Sequence, residues 1–130
     1  MVISTARQPQ EDPLGEPSAP LTSAVFHILL VLVAGESHGY GIMQDVERIT
    51  GGQTRLGPGT LYRSIQRMLV DGLIEELQIA LHNETDDDRR RYYRLTPKGR
   101  ATAKREAERL ADLVDVARRR NLIARPRKGQ

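Results

Sequence analysis

Cysteine and tryptophan are absent from this chain of 130 residues, phenylalanine occurs once, and aromatic residues make up 4% of it. Without cysteine there is no disulfide, no thiol nucleophile and no thiolate metal site, and a reducing cytoplasm is the expected compartment. So few rings leave little material for an aromatic sandwich around a flat ligand. The longest apolar run, Ala24–Ala34, is interrupted by His27 and falls well short of the about 20 residues that span a bilayer, so no membrane partner is expected. Met1–Pro20 is polar, carries Pro9, Pro13, Pro17 and Pro20, and has no apolar core of the kind a signal peptide needs.

Catalytic constellations are equally scarce. His27, His38 and His82 lie far apart, without a second histidine or a cysteine at ligand spacing. Asp86-Asp87-Asp88 lacks the alternating ligands and the glycine of a calcium loop. Gly52–Gly57 has the glycine spacing of a phosphate-binding loop, but Pro58-Gly59 stands where a Lys-Ser/Thr pair would grip phosphate and magnesium. Neither an enzyme nor a metal or organic cofactor is expected.

What is present is one small domain's worth of chain with unevenly placed charge. The formal net charge is +3, yet Arg89, Arg90, Arg91, Arg94, Lys98, Arg100, Lys104 and Arg105 follow one another with no acid among them. Such a cluster suits a polyanion.

Residues 1–20 are expected to form a disordered tail. A helix is expected from Leu21, capped by Thr22 or Ser23, with Val25, Phe26, Ile28, Leu29 and Leu32 as its apolar residues and Gly35 as its stop. A second, about Gly39 to Ile49, turns Ile42, Met43, Val46 and Ile49 inward and ends at Gly51-Gly52. A third begins at Pro58-Gly59, where proline fixes the chain direction and glycine permits a close approach. It lines one face with Leu61, Ile65, Met68 and Leu69 and projects Thr60, Arg63, Ser64 and Arg67 from the other, with Gln66 beside them.

After Gly72, Leu73–Ile79 and Arg90–Leu95 read as two strands, with Tyr93 and Leu95 alternating against Tyr92 and Arg94 around a polar loop. Thr96-Pro97 starts a last helix running to about Arg120. Within it Ala103, Ala107, Leu110, Val114 and Ala117 recur at heptad spacing, the seam through which two helices pack, and Leu113 and Val116 widen the stripe. With Phe26 and Leu29 of the first helix, this seam is the expected dimerisation surface.

The fold class expected is mainly α with a small β-hairpin: a winged helix-turn-helix domain over residues 21–96, a dimerisation helix over 97–121 and a basic tail over 122–130. In that fold the third helix reads a DNA groove and the hairpin is a wing. Arg63, Gln66 and Arg67 carry the groups suited to base edges, Thr60 and Tyr62 would position phosphate, and Arg89, Arg90 and Arg91 would supply wing contacts. The partners expected are a second copy of the chain and double-stranded DNA with a pseudo-palindromic site.

Four motifs in order carry a resemblance: Gly39-Tyr40-Gly41-Ile42, Gly59-Thr60-Leu61-Tyr62, Arg67-Met68-x-x-x-Gly72-Leu73-Ile74 and Arg91-Tyr92-Tyr93-Arg94-Leu95-Thr96-x-x-Gly99. Together they resemble the PadR family of bacterial transcriptional regulators, over roughly Leu21 to Arg100. Arg63 departs from it, since many members have proline there. The resemblance implies a repressor relieved by a small molecule or other signal, the effector's identity being unspecified. The competing expectation is a winged-helix protein-interaction module, in which Asp86–Asp88 at the wing tip abolish DNA binding and the chain pairs with another regulator.

Overall fold

A computed structural model of the protein describes residues 21–79 and 90–124. The expected tail of residues 1–20, the wing-tip loop with His82, Asp86–Asp88 and Arg89, and the basic end from 125 onward lie outside the described residues.

Among the described residues four helices and a three-stranded antiparallel sheet make up the fold: α1 (Ser23–Val33), β1 (Ser37–His38), α2 (Gly39–Ile49), α3 (Pro58–Val70), β2 (Ile74–Ile79), β3 (Arg90–Leu95) and α4 (Pro97–Arg119). Local chemistry sets the boundaries. The Thr22 hydroxyl accepts from the Val25 amide at 3.1 Å to open α1. His38 does the same for α2, its Nδ1 accepting from Gly41 N at 3.1 Å. Thr96 caps α4 by accepting from Gly99 N at 3.0 Å, with Pro97 in the first turn. Such caps satisfy amides that have no partner inside the helix.

The sheet order is β1-β3-β2, with Tyr93 opposite Ser37 and Glu76, and Leu95 opposite Ile74. The two-residue β1 is too short to leave an alternation signal, and the hairpin expected from sequence is therefore a three-stranded sheet. α1 packs against α2, α3, α4 and β3 and so sits at the centre of the domain. Ile28, Leu29, Ile42, Val46, Leu61, Ile65 and Met68 are fully buried around it, joined by Leu73, Ile74, Tyr93, Leu95 and Ala103.

Three expectations are corrected. Leu29 is completely enclosed and Ala103 is buried, both within a single chain, so neither offers surface to a second copy. The first half of α4 lies on α1, and that contact uses the seam's first position. Ile49, expected inside, is 47% exposed, because α2 meets its neighbours through Ile42 and Val46 and its last residue passes beyond them.

The end of α3, strands β2 and β3 and the start of α4 meet at one junction. Gly72 has φ +76°, and the two reverse bonds Leu73 N to Met68 O (2.9 Å) and Gly72 N to Leu69 O (3.1 Å) form a Schellman closure that a left-handed glycine permits. Thr96 N donates to Leu73 O at 3.1 Å, the Thr96 hydroxyl donates to Gly72 O at 2.6 Å, and Lys98 Nζ donates to Asp71 O at 2.8 Å. Gly99 lies so close that a β-carbon there would collide with the Leu73 carbonyl oxygen.

On α4, Glu106 is buried and held by Arg109 through two bonds, Nε to Oε1 at 3.0 Å and Nη2 to Oε2 at 2.6 Å. This charge-assisted pair keeps the Glu106 carboxyl below the usual carboxylate range, against the opposing effect of burial. No helix among the described residues is long and apolar enough to cross a membrane.

Two outcomes are expected. Gly99→Ala should destabilise by about 3 kcal/mol or more, since backbone rather than a yielding side chain opposes the methyl, whereas Gly72→Ala should lose about 1–2 kcal/mol from left-handed strain alone; urea unfolding of both variants tests the order. The Glu106 pair contributes stability that is complete above the unfolded glutamate pKa of about 4.3 and is lost as pH falls through the lower folded value. Melting temperatures of Glu106→Gln should therefore fall less steeply below about pH 4.3 than those of the parent chain.

Candidate nucleic-acid interface

α3 turns Leu61, Ile65 and Met68 into the core, and the 3.6-residue period then forces Thr60, Tyr62, Arg63, Gln66 and Arg67 outward, where all are exposed. Its first turn has Gly57 as cap residue and Pro58 just inside, with no side chain bonded to the leading amides. Gly59 is not a point of close approach: a β-carbon there would only touch Arg63 Nη1 at 3.4 Å. The close approach expected at that entry is found elsewhere, where the Tyr62 hydroxyl lies over Gly39 with no room for a side chain. Tyr62 thereby links α3 to the first residue of α2.

The outward side chains do not stand alone. Gly59, Tyr62, Arg63, Gln66, Arg67 and Val70 line a shallow, open depression along α3. Tyr62 and Gln66 also line a second one, of about 410 Å³, whose other walls are His38, Gly39, Tyr40, Arg91 and Tyr93. The outward face of α3, the N-terminus of α2 and the base of the wing thus form one continuous surface. Tyr93, buried beneath it, has its phenol pushed above the ordinary value by burial first and by the Glu76 carboxylate second, so it remains a neutral hydroxyl at physiological pH.

Most cations here are held by carboxylates. Arg67 Nε donates to Asp71 Oδ2 at 3.1 Å, Arg91 Nε lies 3.4 Å from Glu76, and Arg94 bonds Glu75 through Nε at 2.9 Å and Nη2 at 2.8 Å. Among the described residues Arg63 reaches only the Thr60 hydroxyl, at 3.5 Å. The strand pairing explains the wing contacts: Arg94 stands opposite Glu75 in the ladder, and Glu76, opposite Tyr93, is the diagonal neighbour of Arg91 two residues away on the same face. Alternation along β3 puts Arg91 on the face of Tyr93 and Leu95 and Arg94 on the opposite face with Tyr92, so the basic run is divided by the ribbon rather than presented as one patch. Arg90 pairs through its backbone with Ile79, and Arg89 falls outside the described residues.

Sequence reading missed four contributors. Val70 is 79% exposed at the end of the outward face of α3. Tyr40 and His38 reach the surface because β1 pairs with β3 and draws the α2 N-terminus alongside it, and His38 meets Tyr92 edge-to-face with ring centroids 5.2 Å apart. Asp71 pairs with Arg67 at the i, i+4 spacing that the sequence itself contains.

Of the expected dimerisation residues, Ala107 and Val114 are exposed, while Phe26, Leu110 and Ala117 are partly buried. Leu113, at 53% exposure, and Val116 extend the uncovered stripe on the outer half of α4.

The family described as "Transcriptional regulator PadR-like family" matches residues 28–105, more than half of the chain. The chain is 34% identical over 88 residues to the transcriptional regulator Rv3488 of Mycobacterium tuberculosis, a match covering 68% of this chain and 76% of that protein. It is 36% identical over 86 residues to an uncharacterised 37.1 kDa protein of transposon TN4556 from Streptomyces fradiae, covering 66% of this chain but only 22% of that one. Among solved structures, a transcriptional regulator from Clostridium thermocellum matches with a TM-score of 0.63 at 27% identity, over 73% of this chain and 89% of that one. A PadR family transcription regulator from Clostridium difficile shares the fold with a TM-score of 0.65 at 22% identity, over 75% and 97% of the two chains.

Because the arginines of the surface are exposed and their ion pairs are solvated, Arg67→Ala and Arg91→Ala should each change folding stability by no more than about 0.5 kcal/mol. Urea denaturation checks this, and it makes any loss of binding in these variants interpretable.

Proposed function

This chain belongs to the PadR-like family of transcriptional regulators, whose members are not enzymes, and on that footing we propose that it acts by binding a specific DNA sequence as a homodimer. The observation that supports the reading best is the continuity of the α3 face with Arg91 at the wing base through Tyr62 and Gln66. A helix with exposed Arg63, Gln66 and Arg67 fits a major groove, where guanidinium groups pair with guanine and amides with adenine. Thr60, Tyr62 and the leading amides of α3 then meet the phosphates that fix its register. Arg89, Arg90 and Arg91 follow the flanking backbone.

Two copies pair through the outer half of α4, around Ala107, Leu110, Val114 and Ala117, with Phe26 of α1 at the margin. Their recognition helices enter successive grooves about 34 Å apart on a pseudo-palindrome. Occupancy of a promoter by such a dimer represses it. An effector relieves repression by binding more tightly to a dimer shape in which the two helices no longer match that spacing. DNA recognition is favoured over the protein-interaction reading by the exposed polar face of α3 itself, which does not depend on the wing tip.

On the duplex most enriched by the full chain from a random-sequence pool, Arg67→Ala should lose about 1–3 kcal/mol and relax the preference at one base pair. Arg91→Ala should weaken enriched and scrambled duplexes alike and lower the salt slope by about one. Fluorescence anisotropy across a salt series measures both, and unchanged binding by both variants contradicts this assignment.

A further inference from the structure

Asp71 is an acid in a position with two physical disadvantages. It is the C-cap of α3, where the helix dipole disfavours negative charge, and it borders the face proposed to meet a polyanion, where a carboxylate lowers affinity. Its exposed pair with Arg67, whose side chain is 74% accessible, contributes little to folding. Neither stability nor general DNA affinity accounts for an acid here.

The geometry of the pair does account for it. The described bond runs from Arg67 Nε to Asp71 Oδ2 at 3.1 Å. A guanidinium is a planar fork of five donors. With its Nε edge turned to the carboxylate, the two terminal nitrogens are presented end-on, the edge that matches O6 and N7 of guanine. One step along the helix face, Arg63 has no carboxylate partner among the described residues and meets only Thr60, at 3.5 Å. One arginine of the reading face is braced and its neighbour is not.

We infer that Asp71 is a positioning residue for base readout: it holds the Arg67 guanidinium in the orientation that recognises guanine, raising discrimination between sequences at the expense of overall DNA affinity. The inference rests on the DNA-binding reading above. It also separates the two arginines, Arg67 reading a base and Arg63 moving freely enough to follow phosphates.

The test is anisotropy of the full chain and its variants on the enriched duplex, on the same duplex with the Arg67-dependent G·C pair changed to A·T, and on a scramble. Asp71→Asn removes the charge and keeps the shape. It should bind the scramble more tightly than the parent does, while the ratio between the G·C and A·T duplexes falls by about fivefold, the scale of the ordering cost that the brace removes. Asp71→Glu, which still reaches Arg67 across one turn, should restore the ratio. In an Arg67→Ala background Asp71→Asn should leave the ratio unchanged. Tighter binding to all three duplexes with the ratio intact overturns the inference while leaving specific binding established, as does an equal fall of the ratio in the Arg67→Ala background. A parent chain that does not distinguish the enriched duplex from its scramble overturns the DNA-binding reading and this inference together. Thermal melts that coincide for the parent and Asp71→Asn show that the change is not one of folding.

Discussion

The threonine at position 96 joins the parts of this molecule that must keep a fixed relation to one another. Its hydroxyl donates to the Gly72 carbonyl and accepts from the Gly99 amide, and its own amide donates to Leu73 O. Carbonyls just beyond the end of α3 are thereby satisfied by Thr96, and Lys98 supplies a donor and a positive charge to the Asp71 carbonyl at the C-cap of α3. Gly99 allows the two backbones to touch. α3, strands β2 and β3 and the last helix are in consequence set by one polar junction a few residues across. In the proposed dimer, movement of α4 would have a short, stiff route to α3, which is what the proposed dependence on the spacing of two α3 helices requires.

Electrostatics on the proposed DNA face work through arrangement more than through total charge, which is only +3. Arg67, Arg91 and Arg94 each rest against a carboxylate in the free chain. On the proposed DNA face the exposed pairs of Arg91 and Arg94 are worth little and exchange readily, so that a phosphate would displace the carboxylate at small cost. The acids also lower attraction to arbitrary DNA, and a modest non-specific affinity is an advantage to a protein that must find one site among many.

Much of this was legible in the sequence because it is written in local chemistry. Thr22 and Thr96 as caps, Pro58 and Pro97 in first turns, Gly51 and Gly72 after helix ends, and the 3.6 period of Leu61, Ile65 and Met68 fix the helices without reference to the rest of the fold. Tyr93 and Leu95 likewise identify the inner face of the wing. What depends on tertiary placement was not legible. Ser37-His38 is a strand only because β3 lies beside it. Leu29 and Ala103 carry the pattern of an interface but are enclosed by α1 and its neighbours, and no periodicity distinguishes burial within one chain from burial between two. The pairing of Glu75 and Glu76 with arginines of β3 follows from a strand register that composition alone does not reveal. At the candidate site, the outward residues of α3 follow from the helical period, while the contribution of the α2 N-terminus depends on the pairing of β1 with β3.

The central claim, that the α3 face and the wing base form one sequence-reading surface, is tested most directly by the ratio of affinities of the unmodified chain for its enriched duplex and for a scrambled duplex of equal length, at near-physiological salt. A preference of about a thousandfold or more, with the enriched sequence forming an inverted repeat whose half-sites lie about one helical turn apart, is the result this account requires. Equal affinities that decline together as salt rises would contradict it, leaving only the attraction of a basic surface for a polyanion.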